Sequence, residues 1–510
     1  MSQGADNSFV FAGCDLTYSR ISLTRPLRVT VDKSSSAELT ESINSMFQWY
    51  KEAVICYVLL EDLLPATPPH DGFQRCRWFS RGWTLQELLA PDTVHFFDKT
   101  WVYVGSKRRH AEVMSSFTRI PSEVLLDGRK LSQMSVASRM ACAAFRETTR
   151  LEDMAYSLLG IFDVNMPLIY GEGMKAFRRL QEEIMKRNND LTILAWNISS
   201  GVLEDFVSIL APSPRAFSSI SEVMPLENGV PEFSITNKGL FLAGDFVLIP
   251  QDAETTEGRS RTLYALLLGS EPINSEPINT ASPIGVYLRK LGPSLFCRVG
   301  TIPLARYKAG LFHNGSYSPV TSCYILLDPH NPIIASFPRY RYDAIHVPAH
   351  ERFNLADAVP GALWDETDRL FLKPKLGRGV VGSWPMVLAM RFWFFLSPSP
   401  SSGWIEVVVL CDYRLHDPVV KIVRQSEYLR ATSMLFHDRY KEKGIWWEDL
   451  EIQAPELQST DSTLIVNLDG HPQQRIELFW QEREFSILSE KIPTRSLILS
   501  VTDIREGIPG

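Results

Sequence analysis

The densest concentration of reactive side chains lies in Arg77-Trp78-Phe79-Ser80-Arg81-Gly82-Trp83-Thr84-Leu85-Gln86-Glu87-Leu88-Leu89-Ala90-Pro91. Two tryptophans, two arginines and one carboxylate stand on or just before a short helical pattern. Glu87 follows Trp83 by four residues, so a helix puts both on one face. A carboxylate beside aromatic and cationic groups can act as a base or accept hydrogen bonds from a sugar hydroxyl. The simpler reading is structural: Trp78, Trp83 and Leu88 pack while Arg81 and Glu87 face solvent. On the first reading Glu87 looks into a cleft at the carboxyl ends of the strands, the usual ligand position in an open α/β sheet. Glu87→Gln would then change stability by no more than about 1 kcal/mol, the scale for a partly exposed substitution.

Other patterns carry less. Gly377-Arg378-Gly379-Val380-Val381-Gly382 spells a dinucleotide-type GxGxxG, but Pro374 and Pro385 flank it in a β-rich context. That motif needs a strand before it and a helix after it, so a glycine-rich turn is the better reading. His346 and His350 have the spacing of a zinc pair, yet Pro348 between them rules out the helix that would join the imidazoles. No GxSxG, Walker loop or HExxH is present.

Elements must position these residues. Ser35-Ser36-Ala37-Glu38 fits a capping box, and Leu39, Ile43, Met46, Phe47, Tyr50 and Val54 follow at helical spacing. Val54 to Leu60 is a continuous apolar run that suits a strand buried on both faces. A helix over Arg81 to Leu89 stops before Pro91, and Val94 to Phe97 is a second short strand. Helix, strand, helix, strand is the rhythm of a parallel α/β sheet. Three helices are predicted over Met134–Phe145, Leu151–Phe162 and Glu172–Lys186. Arg150, Glu152 and Asp153 open the second, where carboxylates complement the helix dipole.

After Trp196 short apolar runs recur between turn residues: Leu240–Ile249, Thr262–Leu268, Ile284–Leu288, Tyr324–Leu327, Met386–Leu396, Trp404–Leu410, Thr463–Leu468 and Leu497–Val501. This spacing predicts a β-rich, sandwich-like region. The pentapeptide Ser-Glu-Pro-Ile-Asn occurs twice in succession over 270–279 and reads as a duplicated loop.

Composition sets outer limits. A chain of 510 residues is long enough for two or three domains. With 45% hydrophobic and 22% charged residues, disorder and coiled coil are excluded. The first 200 residues balance in charge, so the net −7 falls in the remainder and predicts neither nucleic-acid nor anionic-membrane binding. Seven scattered cysteines form no CxxC, and the first residues lack the basic start and apolar stretch of a signal peptide. The most apolar stretch, Trp384–Leu396, is too short to span a bilayer. The chain is therefore expected in the cytoplasm, with no membrane span.

Several blocks resemble the HET domain of fungal heterokaryon-incompatibility proteins. They are Asp32-Lys33-Ser34-Ser35-Ser36-Ala37-Glu38-Leu39, Ile43 to Tyr50, Arg81 to Leu88, Thr148 to Phe162, Tyr170-Gly171-Glu172-Gly173 and Ala176 to Ile184. Their order and spacing cover about residues 29–196, and segments such as Phe233–Leu240 and Ile284–Leu288 resemble the β-rich region that often follows the domain. The resemblance implies three parts: a divergent segment 1–28, a HET domain over 29–196 that lacks its usual first blocks, and a β-rich domain over 205–510. A sheet strand is then missing or replaced by residues 9–12 or 27–31.

HET proteins act in non-self recognition between fungal individuals and are associated with cell death. The family is considered similar to TIR domains, which have a flavodoxin-like parallel sheet. Some TIR domains cleave NAD with a glutamate in a W-x-x-x-E-L helix, and Trp83-Thr84-Leu85-Gln86-Glu87-Leu88 has that spacing. A carboxylate can stabilise the cationic ribosyl centre. The resemblance thus implies Glu87 as catalytic candidate and Asp32, Arg81, Trp83 and Arg150 as substrate-binding candidates. It implies no resident cofactor or metal, NAD as substrate, and a protein partner or self-association through the HET domain. The other expectation is a catalytically inactive interaction module.

Overall fold

The computed structural model describes residues 9–12, 36–197, 206–220, 222–226, 230–254, 260–272, 282–292, 294–300, 302–306, 318–328, 344–372, 387–397, 403–412, 419–424, 462–467, 472–487 and 490–504. The strand expected at 27–31, Asp32, the glycine-rich turn at 377–382 and most of the duplicated pentapeptide lie outside them.

The apolar run after Ala53 forms β2 (Ile55–Leu59), between β1 (Phe9–Ala12) and β3 (Val94–Phe97), both parallel to it. β4 (Tyr103–Ser106) adds an antiparallel edge. Residues 9–12 therefore occupy the sheet position beside β2. The strand order β1-β2-β3 follows chain order. Right-handed crossovers between strands placed side by side in chain order all fall on the same face of a sheet. α1 (Ser36–Glu52) and α2 (Thr84–Leu89) accordingly pack against each other on the face of Cys56, Val58, Val94 and Phe96. β2 was expected to be buried on both faces. Instead Cys56 and Val58 are buried while Ile55, Tyr57 and Leu59 are half-buried, because the opposite face has no layer of crossover helices among the described residues.

The helices are shorter than the periodicity predicts. Arg77–Ser80 is a 3₁₀ turn and Arg81 is extended, so α2 begins only at Thr84. Met134–Phe145 yields α3 (Val136–Ala141), started by the Ser135 hydroxyl accepting from Ser138 N–H. Leu151–Phe162 breaks into two four-residue turns, Asp153–Tyr156 and Leu159–Phe162, the second ended by left-handed Asp163. α4 (Lys175–Arg187) is continuous and carries basic residues in its last turn, where they complement the helix dipole.

The β-rich remainder has two parts. In the first, β5 (Gly239–Glu254), β6 (Ser260–Glu271), β7 (Ser282–Gly292), β8 (Leu295–Val299) and β9 (Ser318–Ile325) pair in succession, and β9 returns to β5. This closed ring differs from the sandwich expected there, and closure removes exposed strand edges. Its inner residues, such as Leu242, Leu266 and Phe296, join one core with the α/β part, from Ile43 to Leu327. In the second part a four-stranded and a six-stranded sheet share a separate core running from Ile345 to Leu499.

A buried cation ties the first two parts together. Arg298 on β8 donates to the carbonyls of Leu194 (3.0 Å) and Trp196 and stacks 3.8 Å over the Trp196 ring. Burial pushes its pKa down to about 9.

Among the described residues no helix is long and apolar enough to cross a membrane. Their six cysteines are buried free thiols. Also among the described residues, no group of three or more His, Cys, Asp or Glu side chains is placed to hold a metal ion. His346 pairs with Ser496, and His350 Nδ1 accepts from the Arg352 N–H, so each imidazole serves its own strand or turn.

Candidate functional site

Glu87 points inward from α2 and is only 9% exposed. Trp78 Nε1 donates to its Oε2 at 3.2 Å, and the Tyr50 hydroxyl from α1 bonds it as well. Trp78 is itself fixed by edge contacts with Phe79 (4.9 Å) and Phe96 (5.7 Å). Arg146 approaches from below α2. Its Nη1 donates to the Arg81 carbonyl (2.8 Å) and the Thr84 hydroxyl (3.0 Å), while Nη2 is buried without a hydrogen-bond partner among the described residues.

Burial dominates the electrostatics. It lifts the Glu87 pKa to about 7 against the opposing hydrogen bonds from Trp78 and Tyr50 and the charges of Arg81 and Arg146. Burial also pushes Arg146 down to about 10, and burial together with the Glu87 charge raises Tyr50 and Cys56. At the other end of α2, the Lys107 ammonium donates to the Leu88 (3.2 Å) and Pro91 carbonyls, satisfying acceptors that a helix end leaves open. Burial lowers its pKa to about 8. Glu87 thus acts on Tyr50, near the end of α1, and Cys56, the second residue of β2. That is where β2 begins, not the carboxyl ends of the strands.

Trp83 and Arg150 belong to a second network. The Trp83 indole and the Tyr170 hydroxyl (3.0 Å) both bond Asp153, and the Arg150 guanidinium lies 4.5 Å over the Tyr170 ring. Burial raises the Asp153 pKa in spite of these bonds. Glu152 Oε1 accepts from the backbone N–H groups of Gly171 (2.7 Å) and Gly173 (2.9 Å), which hold its pKa low. Both glycines have positive φ (100° and 61°), the conformation that turns both N–H groups toward one carboxylate. Glu152 and Asp153 therefore reach across to the 170–173 loop rather than serving a helix dipole, since the turn they open is four residues long.

The two networks meet at residues 80–87. Glu147 N–H donates to the Ser80 carbonyl (2.7 Å) and Gly82 N–H to the Glu147 carbonyl (2.8 Å). A Cβ at Gly82 would lie 2.5 Å from Thr148 Cγ2, so only glycine fits this crossing without a shift. Gln86 Nε2 adds a bond to the Ser157 carbonyl (2.8 Å). Of the predicted residues, Glu87 and Arg81 fall in the first network, Trp83 and Arg150 in the second, and Asp32 outside the described residues. Sequence reasoning missed Tyr50, which counts as one more apolar position of α1, and Arg146, which precedes the recognisable block beginning at Thr148.

Residues 175–227, from α4 into the first strands of the β-rich part, match a domain of unknown function, DUF8212. Over 172 residues, 32% of this chain, the sequence is 50% identical to vegetative incompatibility protein HET-E-1 of Podospora anserina. The match covers 13% of that protein, so the chain corresponds to a small part of its length. No solved structure matches.

Proposed function

We propose that this chain is a cytoplasmic protein of fungal heterokaryon incompatibility, acting in non-self recognition and promoting cell death through a TIR-like α/β region. The 50% identity to a vegetative incompatibility protein carries this reading. Inducible expression in a fungal host tests it. Growth arrest or death on induction is the expected result, and normal growth of cells containing folded protein would overturn it.

Within that role the geometry favours an interaction module. Trp78 and Tyr50 engage the Glu87 carboxylate, and it looks into the α1–α2 packing. A carboxylate so engaged holds helices together. Death that survives Glu87→Gln supports this reading.

A second reading, cleavage of NAD, draws on two observations. A carboxylate with a pKa near 7 is poised for proton transfer at neutral pH. Arg146 Nη2, buried and without a hydrogen-bond partner among the described residues, could donate to a ligand oxygen. Purified chain that consumes NAD only with Glu87 intact would establish the enzyme. Consumption unchanged by Glu87→Gln would remove Glu87 from the mechanism.

A further inference from the structure

The ring and the C-terminal part keep their apolar interiors apart. One core runs through the α/β part and the ring as far as Leu327, and the other runs from Ile345 to Leu499. Among the described residues no cluster of buried apolar side chains has members on both sides. A hairpin at the edge of the six-stranded sheet reaches across instead. Its two short strands, Trp364–Asp365 and Leu370–Phe371, pair antiparallel. Trp364 and Phe371, with rings 4.8 Å apart, root it in the second core.

The contact it makes is polar and dry. Tyr264 on β6 donates its hydroxyl to Asp365 Oδ1 (3.2 Å) and accepts from the Glu366 N–H (2.6 Å). Arg289 on β7 donates to Asp368 Oδ2 (3.0 Å). Lys290 beside it donates to the carbonyls of Gly361 (3.3 Å) and Trp364 (2.5 Å). The Ser294 N–H, in the turn between β7 and β8, donates to the Ala362 carbonyl (3.3 Å). Tyr264, Arg289, Lys290 and Asp365 are 2%, 7%, 4% and 0% exposed, so water is excluded from these bonds. Charge is complementary as well: Asp365, Glu366 and Asp368 face the adjacent cations Arg289 and Lys290.

Charges taken out of water lose hydration that their mutual attraction barely offsets, so this contact fixes geometry more than it adds stability. Loss of any one member leaves the others buried and unpaired, which makes the contact all-or-none. Polar contacts between separately cored parts also permit relative motion, as large apolar ones do not.

We infer that the hairpin is a latch: the C-terminal part is a separately folded body that leaves the ring and docks again as a unit while both cores stay intact. Release uncovers Tyr264, Arg289 and Lys290 together. The docked hairpin therefore masks a cationic spot on the ring that fits an acidic turn.

Native-state hydrogen exchange on the full chain tests the latch without any assay of cell death. The Glu366 and Ser294 amides bond across it. The Leu326 amide bonds within the ring, to the Phe296 carbonyl (3.0 Å), and the Leu478 amide within the C-terminal part, to the Ser462 carbonyl (2.8 Å). Glu366 and Ser294 should show equal protection, at least about tenfold weaker than that of Leu326 and Leu478, because they open by release rather than by unfolding. Lys290→Met keeps the bulk of the side chain and removes the ammonium. It should speed exchange at Glu366 and Ser294 by roughly tenfold more and leave Leu326 and Leu478 unchanged. Protection at Glu366 and Ser294 as strong as at Leu326 and Leu478 would overturn the latch, since the two parts would then open only by unfolding. So would a Lys290→Met chain in which all of these amides speed up together. Should Lys290→Met not fold, Arg289→Asp is compared with the swap Arg289→Asp plus Asp368→Arg. Faster exchange at Glu366 in the single variant, slowed again by the swap, supports the latch, and equal exchange in the two overturns it.

Discussion

Glu87 and Glu152 expose nearly the same fraction of their surface, 9% and 8%, but Glu87 lies deep in the core and Glu152 near the surface under a loop, and their surroundings drive them in opposite directions. Glu87 receives side-chain donors carried by α1 and a 3₁₀ turn, and burial prevails. Glu152 receives two peptide N–H groups from a loop wrapped around it, and those bonds prevail. Surface exposure alone therefore does not set the state of a carboxylate; depth below the surface and the donors around it both enter. Desolvation decides for Glu87, and peptide donors fixed in place for the charged form decide for Glu152. The Glu152 loop is built for an anion, whereas the Glu87 pocket holds a proton near neutral pH.

The largest expected effect comes from dismantling the Glu87 pocket. Trp78→Ala should cost about 3–5 kcal/mol in urea unfolding, from lost aromatic packing and an abandoned carboxylate. A loss under about 1 kcal/mol would mean that Trp78 does not organise the pocket.

The next effect separates the carboxylates by pH. With a native pKa of about 7 against an ordinary 4.5, Glu87 binds its proton more tightly when folded. It has no effect below the ordinary pKa, then costs stability progressively as pH rises toward 7, reaching about 3 kcal/mol. Glu87→Gln should therefore flatten the stability profile between pH 5 and 7. This replaces the sequence-based expectation of a small change, which assumed partial exposure. Glu152 has the opposite sign: its contribution is present above the ordinary pKa and is lost as pH falls through its lowered native value. Glu152→Gln should lower stability at neutral pH, remove the fall that its ionisation produces on the acid side, and speed amide exchange at Gly171 and Gly173. Identical pH profiles for the two variants would abolish the contrast.

The smallest effect belongs to Arg150, which is exposed and rests on Tyr170. Arg150→Ala should cost about 0.5 kcal/mol, the scale of an exposed cation–π contact. Charge reversal that leaves both folding and signalling intact would remove it from the site.

Much of the fold was legible because local pattern and burial agree. Val94–Phe97 is the strand its composition indicates, and the apolar runs of the C-terminal half lie within or beside longer strands. The helices were overestimated because residues buried on all sides repeat with a period that 3₁₀ turns and short helices share. Extended Arg81 and left-handed Asp163 break the pattern through backbone angles no composition signals. The site was half legible. Glu87 and Trp83 are marked by spacing, but their partners Tyr50, Arg146 and Asp153 come from elements distant in sequence. The left-handed Trp101, with φ of 62°, has no sequence signature, since its turn is defined by bonds to the Asp98 carboxylate rather than by glycine.

Arg298 reaches Leu194 across 104 residues of chain. At about 5–20 residues per second of synthesis, the α/β part waits roughly 5–20 s for the guanidinium that ties down its last turn. Until β8 emerges, the Leu194 and Trp196 carbonyls lack that donor, and the indole beneath it has no cover. A nascent chain held at this stage presents chaperones with a nearly finished fold whose final fastening is still being made.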